Sequence, residues 1–469
     1  MNSTGLSALG TLNLNTSTFP LASLVPLLYE WAAILPLAIY LANPDQTHQL
    51  VGKASLSEHI CTAPFPKLGV LAHIAQLLQE GPDFLDRVSA IGGLRHEVWD
   101  ANWGSVFPCA NGSASRIIAA KALRKAKTVV ISESIILKEA TGGASVSTAS
   151  SSSESASVQQ TAASTCSPSQ PASSPDPGFR RYQTLHVLQF NRATSAGHKN
   201  NAPEAKEVLN VLFEVVLFVG LTAAVVLSLM FGLYGTAVCL LVGIVVRLSC
   251  RRIVLERAKL YLQDNEEGKM DGCMLSAVHQ NASTWYLYIG DRGIIDGMLN
   301  KPMIVGVAPA FAKSIPMVFV YFIKFLSMLQ LAAVTYVTAQ KGWDSVGLLS
   351  LILFSMILDA LWDNQRNLAR AWLRKHGVRI ESAMFLFSGR VAMLGAIQAL
   401  KRTDESSWMD GILQQNACRD AFLSGLSGPQ MEYKQRLASL DDGDRKGVQR
   451  NVELARQAAE LIRASFTTV

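Results

Sequence analysis

The sequence predicts an all-α fold: a polytopic helical membrane protein of about five transmembrane helices, with cytoplasmic helical segments and a disordered Ser-rich linker. Three observations carry this prediction. Of 469 residues, 49% are hydrophobic and only 17% charged, against about 25% charged in an ordinary soluble domain. Mean hydropathy is +0.23, because almost uncharged apolar runs alternate with ordinary polar stretches. Basic residues flank those runs, so the net charge of +6 reads as the positive-inside bias of cytoplasmic loops, and no nucleic-acid partner is expected. Fibrous, wholly disordered and disulfide-scaffold classes are excluded.

Residues 1–18 are a short polar N-terminus. No Lys or Arg precedes the first apolar run, Phe19 to Ala42, and no small-residue cleavage pattern follows it, so a signal peptide is not expected. At about 24 residues the run is long enough to cross ~30 Å of hydrocarbon. It contains Pro26, Pro36 and one ionisable group, Glu30; the alternative to a span is a surface or re-entrant segment. Residues 43–140 are a polar helical region. Apolar residues recur at helical spacing over Leu68 to Leu78, and Lys121, Arg124, Lys125 and Lys127 form a basic stripe. Residues 141–200 are rich in Ser, Ala and Pro, too poor in bulky apolar side chains to build a core, and form the linker.

The second span, Val208 to Phe231, and the third, 233–248, make a tight hairpin broken at Gly232 to Gly235. Arg247, Arg251, Arg252, Arg257 and Lys259 follow and assign the end of the third span to the cytoplasm. A cytoplasmic loop, 249–315, leads to the fourth span, 316–339, and after a short turn the fifth, 345–361. Tyr336, Trp343 and Trp362 supply interfacial aromatics. Residues 362–469 are a cytoplasmic helical tail. In it Arg366, Arg370 and Arg374 repeat at i, i+4 and i+8, the pattern of an amphipathic helix on the inner leaflet in contact with anionic lipid. The lipid bilayer is the expected partner, with oligomerisation open. The N-terminus is placed outside or in a lumen and the C-terminus in the cytoplasm. Of the sequons at Asn2, Asn15, Asn111 and Asn281, the first two are candidates for glycosylation and the others are expected to stay bare.

A resemblance enters from His279 onward. HQNASTWYLYIGDRGIIDGMLNKPM (His279 to Met303), LQLAAVTYVTAQKGWD (Leu329 to Asp344), NLARAWL (Asn367 to Leu373), SGRVAMLGAIQ (Ser388 to Gln398) and WMDGIL (Trp408 to Leu413) occur in that order. Together they resemble a family of integral membrane proteins of filamentous fungi that has no established activity. The resemblance covers roughly residues 205–425. It implies a fungal source, several spans and a cytoplasmic C-terminal region, and supplies no catalytic residues.

Chemistry-bearing residues are few. Within the spans they are Glu30, Glu214, Lys324 and Asp359, each a functional candidate because charge in lipid is expensive. Glu214 and Lys324 both fall in cytoplasmic halves of their helices, which allows an intramembrane pair; the alternative is a snorkelling Lys324 and a protonated or hydrated Glu214. In GDRGIID, Asp291, Arg292 and Asp296 offer a metal or phosphate site or, as the favoured reading, a salt-bridged turn. The seven cysteines, at 61, 109, 166, 239, 250, 273 and 418, lack zinc spacing, and Cys61 and Cys109 would pair only in an oxidising compartment. Dinucleotide, P-loop and zinc-protease signatures are missing. No catalytic residue, metal or cofactor is therefore assigned. The expected function is a structural, scaffold or regulatory membrane component. The alternatives are a small transporter or channel using Glu214 and Lys324, and a membrane-embedded biosynthetic enzyme using the Asp291–Asp296 loop.

Overall fold

The computed structural model describes residues 24–42, 47–88, 95–131, 182–192, 205–256, 271–307, 315–340, 342–361, 364–401 and 405–467. Nine strands lie among them: β1 (Glu97–Asp100), β2 (Val106–Pro108), β3 (Lys127–Ile131), β4 (Gln183–Arg192), β5 (Ile253–Glu256), β6 (Asp271–Ala277), β7 (Thr284–Asp291), β8 (Ile304–Val307) and β9 (Val378–Phe387). Seven build one mixed sheet in the order β2-β1-β6-β7-β4-β9-β3, while β5 and β8 pair separately. The pairs β4–β7 and β3–β9 are parallel and the others antiparallel. The sheet corrects the all-α expectation: the fold is α/β.

The reason is local. β4 buries Leu185 and Val187 on one face and Leu188 and Phe190 on the other, so it lacks the apolar–polar alternation that marks a half-exposed strand. It lies in the stretch read as linker, next to the Ser-rich run, and is a central strand with a partner on each side. β7 reads TWYLYIGD, the aromatic-rich composition that suits a pleated surface.

Helices cover both sheet faces. On one, α12 (Arg390–Leu400) and α15 (Asp442–Thr467) close a core around Trp99, Trp285, Leu287, Phe385 and Trp408. The helices α13 (Ala417–Ser427) and α14 (Gln430–Ala438) pack outside it. On the other face, α5 (Gly112–Ala122), α8 (Arg292–Leu299) and α11 (Gln365–Lys375) bury Val98, Leu188, Phe190, Tyr288 and Trp372.

The apolar helices are α1 (Leu24–Leu41), α6 (Ala205–Met230), α7 (Tyr234–Cys250), α9 (Ile315–Gln340) and α10 (Trp343–Leu361). Among the described residues three helices, not the five expected from the sequence, are long and apolar enough to cross a membrane: Leu212–Met230, Met317–Gln340 and the run that begins at Trp343. α1 and α7 are shorter apolar helices. Val216, Val219, Phe325, Met328 and Ile357 project outward from the bundle, as lipid-facing side chains do. Asp344, at the start of α10, accepts hydrogen bonds from the backbone N–H groups of Gly235 (2.8 Å) and Thr236 (2.9 Å), tying the α9–α10 turn to the first turn of α7. On the sheet side, α2 (Thr47–Ser57), α3 (Leu68–Glu80) and α4 (Pro82–Val88) pack under α7 and α9.

Candidate functional site

The GDRG segment folds as a sequence of separately neutralised charges. Asp291 caps α8 by accepting from the Ile294 N–H at 3.1 Å and pairs with Arg192 Nε at 2.5 Å. Arg292 points inward; its Nη2 donates to Asp100 Oδ2 at 2.7 Å and its guanidinium lies 4.4 Å from the Trp103 ring centre. Asp296 accepts from Asn300 Nδ2 at 3.0 Å and pairs with Lys301 Nζ at 3.1 Å. Gly290 precedes them at φ +120°, where a Cβ would stand 2.1 Å from the Phe190 carbonyl oxygen. The three charged residues thus face three different partners and do not converge on one ligand position. Among the described residues no group of three or more His, Cys, Asp or Glu is placed to hold a metal.

The charged residues of the apolar helices also have partners. Glu214 on α6 pairs with Arg247 (2.7 Å) and Arg251 (2.5 Å) at the end of α7. Lys324 on α9 donates to Gln79 Oε1 of α3 at 3.4 Å. Asp359 on α10 pairs with Lys53 of α2 at 2.9 Å, and Glu30 on α1 is exposed. Glu214 and Lys324 therefore serve different neighbours. Asn111 is buried and donates to the carbonyls of Gly297 and Lys301, Asn281 accepts from Arg390 Nη1, and Asn2 and Asn15 lie outside the described residues.

Residues 59–67 enter the bundle as irregular chain. The Thr62 carbonyl accepts from Arg247 Nη1 of α7 (3.0 Å), the Phe65 N–H donates to Ser355 Oγ of α10 (3.1 Å), and the Pro66 carbonyl accepts from Gln330 Nε2 of α9 (2.9 Å). Prolines at 64 and 66 remove two backbone donors, which lowers the number of groups that must be satisfied away from water. Irregular backbone inside an apolar helical bundle needs protein around it to satisfy its polar groups. Here Thr62 and Phe65 are 2% and 3% exposed, and Tyr40 meets the Phe65 ring edge-on at 5.9 Å. Thr62 Oγ1 and Gln330 Oε1 remain buried without hydrogen-bond partners.

A polar row crosses the sheet face that α5 partly covers. Tyr286 on β7 stands opposite both His186 on β4 and Ser276 on β6; its ring stacks on His186 at 5.1 Å and lies 6.3 Å from His96. Burial lowers the pKa of both histidines, and the charge of Arg116 lowers that of His96 further. Burial raises that of the Tyr286 phenol, with Arg116 opposing. Within the row His186 Nδ1 is buried and unpartnered. Nothing in the local sequence groups positions 96, 186, 276 and 286; only strand pairing does. No family model, curated protein or solved structure matches the chain.

Proposed function

We propose that this chain is a multi-pass membrane protein with a structural, scaffold or regulatory role, which holds an α/β domain fast against one membrane face. The observation that carries this is the position of α2 between two cores. Leu50, Val51 and Ala54 enter the core shared with α3, α7 and α9, and Leu56 enters the core beneath the sheet. Gly52 lets α2 approach α5 so closely that a Cβ would meet Ile117 at 2.8 Å. Lys53 joins the same helix to the end of α10. Swinging the sheet away from the bundle would open both cores.

The exposed Arg366, Arg370 and Arg374 of α11 support contact with anionic lipid, since α11 begins just after α10 ends. Lys121 of α5 stands near them: its pKa is lowered by burial first and then by Arg370 and Arg374. Arg247, Arg251 and Arg252 at the end of α7 support a cytoplasmic sheet domain. A transporter built on a Glu214–Lys324 pair, or an enzyme built on Asp291, Arg292 and Asp296, finds no support in these side chains, each already engaged elsewhere. The test is Glu214→Gln in the native host. Loss of function in proportion to lost protein is the expected outcome; lost function at normal abundance would reject a purely structural role.

A further inference from the structure

α6 and α10 each pack on α7, and between them runs an apolar groove of about 570 Å³. That lies within the ~300–1,000 Å³ range of small-molecule sites. Along α6 it extends from Phe213 to Ser228, roughly 22 Å at 1.5 Å per residue. Gly220 and Gly347 thin its walls, Leu240 forms part of its floor and Phe354 borders it on α10. Only 17% of the Leu212–Met230 segment is buried, so the groove opens on a side where hydrocarbon is the surrounding solvent.

The charge at one end selects among occupants. Glu214 follows Phe213, at the end of the groove nearest the sheet, and both Arg247 and Arg251 contact its carboxylate. Two guanidiniums against one carboxylate leave a net positive charge there, and Arg251 is 46% exposed. Basic positions between transmembrane helices at the cytoplasmic surface suit lipid phosphates. We infer that the α6–α7–α10 groove seats one acyl chain of an anionic phospholipid, with its phosphate at the exposed Arg251. The inference rests on the membrane placement of these helices.

Gly220 offers a clean block. It lines the groove, and a Cβ built there meets nothing within 4 Å, so Gly220→Phe fills space without displacing backbone. The full chain is purified from membranes in mild detergent and weighed by native mass spectrometry. Expected is one retained phospholipid per wild-type chain, enriched in anionic headgroups, at least tenfold less in Gly220→Phe, and a loss of headgroup preference in Arg251→Gln. Equal retention in the wild type and a folded Gly220→Phe variant would overturn the inference. So would a wild-type dimer that Gly220→Phe splits, which would give the groove to a second copy.

Should Gly220→Phe fail to fold, a phosphatidylserine carrying a photoreactive tail tests the wild type directly. Crosslinks concentrated in peptides 213–228 and 347–358 support the seat; labelling spread evenly over every outward apolar face rejects it. Release of the chain from membranes by alkaline carbonate would instead remove the membrane placement itself, a result separate from an empty groove in an integral protein.

Discussion

At Arg292 the guanidinium is 9% exposed and its partner Asp100 only 1%. A buried pair of this kind adds little net stability over apolar packing, yet removing one partner strands the other charge. Asp100→Ala is therefore expected to destabilise the protein by about 3 kcal/mol or more, lowering the thermal midpoint in detergent. Asp291→Asn keeps an oxygen that caps α8 and loses mainly the pair with the half-exposed Arg192, so its effect should stay below about 1 kcal/mol. Equal midpoints for the two variants would contradict the assignment. The charges at 291, 292 and 296 were legible because they are neighbours in sequence. Asp100 was not, since 192 residues separate it from Arg292. The His96–Ser276–Tyr286–His186 row was hidden for the same reason.

Among the elements, the segment at 59–67 carries the tightest constraint. Its sequence, HICTAPFPK, reads as a loop; its depth in the bundle depends on partners 185, 264 and 290 residues away. The apolar helices were legible from composition because each satisfies its own backbone. The strands were not: β4 fell in a stretch read as linker and β5 to β8 in one read as loop, because a strand buried on both faces shows no apolar–polar alternation and its pairing partners are distant in sequence. Gly243 on α7 makes room for the segment: a Cβ there would stand 1.9 Å from the Pro64 carbonyl oxygen. Backbone cannot rotate away as a side chain can, so Gly243→Ala should force α7 and the segment apart and destabilise by about 1–3 kcal/mol. Gly220→Ala, in the same bundle, meets open space and should leave the thermal midpoint within about a degree of the wild type. A Gly243→Ala protein as stable as Gly220→Ala would mean that the segment does not sit against α7.

Across the whole molecule, the sheet constrains how the chain would thread a membrane in the placement we propose. Its strands come from residues 97–192, 271–291 and 378–387, with α6–α7 between the first two stretches and α9–α10 between the last two. Strands that share backbone hydrogen bonds must lie on one side of a bilayer. Each helix pair must then return the chain to the side it left, and α1 is free of that requirement. In the topology we propose, the basic end of α7 lies on the cytoplasmic side. The sequons report poorly on it, because Asn111 is 7% exposed and its side chain is committed to two carbonyls; its lack of glycan would say nothing of compartment. Single cysteines at exposed positions report better. In sealed vesicles probed with an impermeant maleimide, Tyr182→Cys, Gln280→Cys and Met431→Cys should label from one side. Phe231→Cys and Trp343→Cys, at the far turns where both native side chains are exposed, should label from the other. If Gln280→Cys labelled from the side opposite Tyr182→Cys, β7 and β4 could not pair, and the seven-stranded sheet would have to be abandoned along with the hairpin threading it requires.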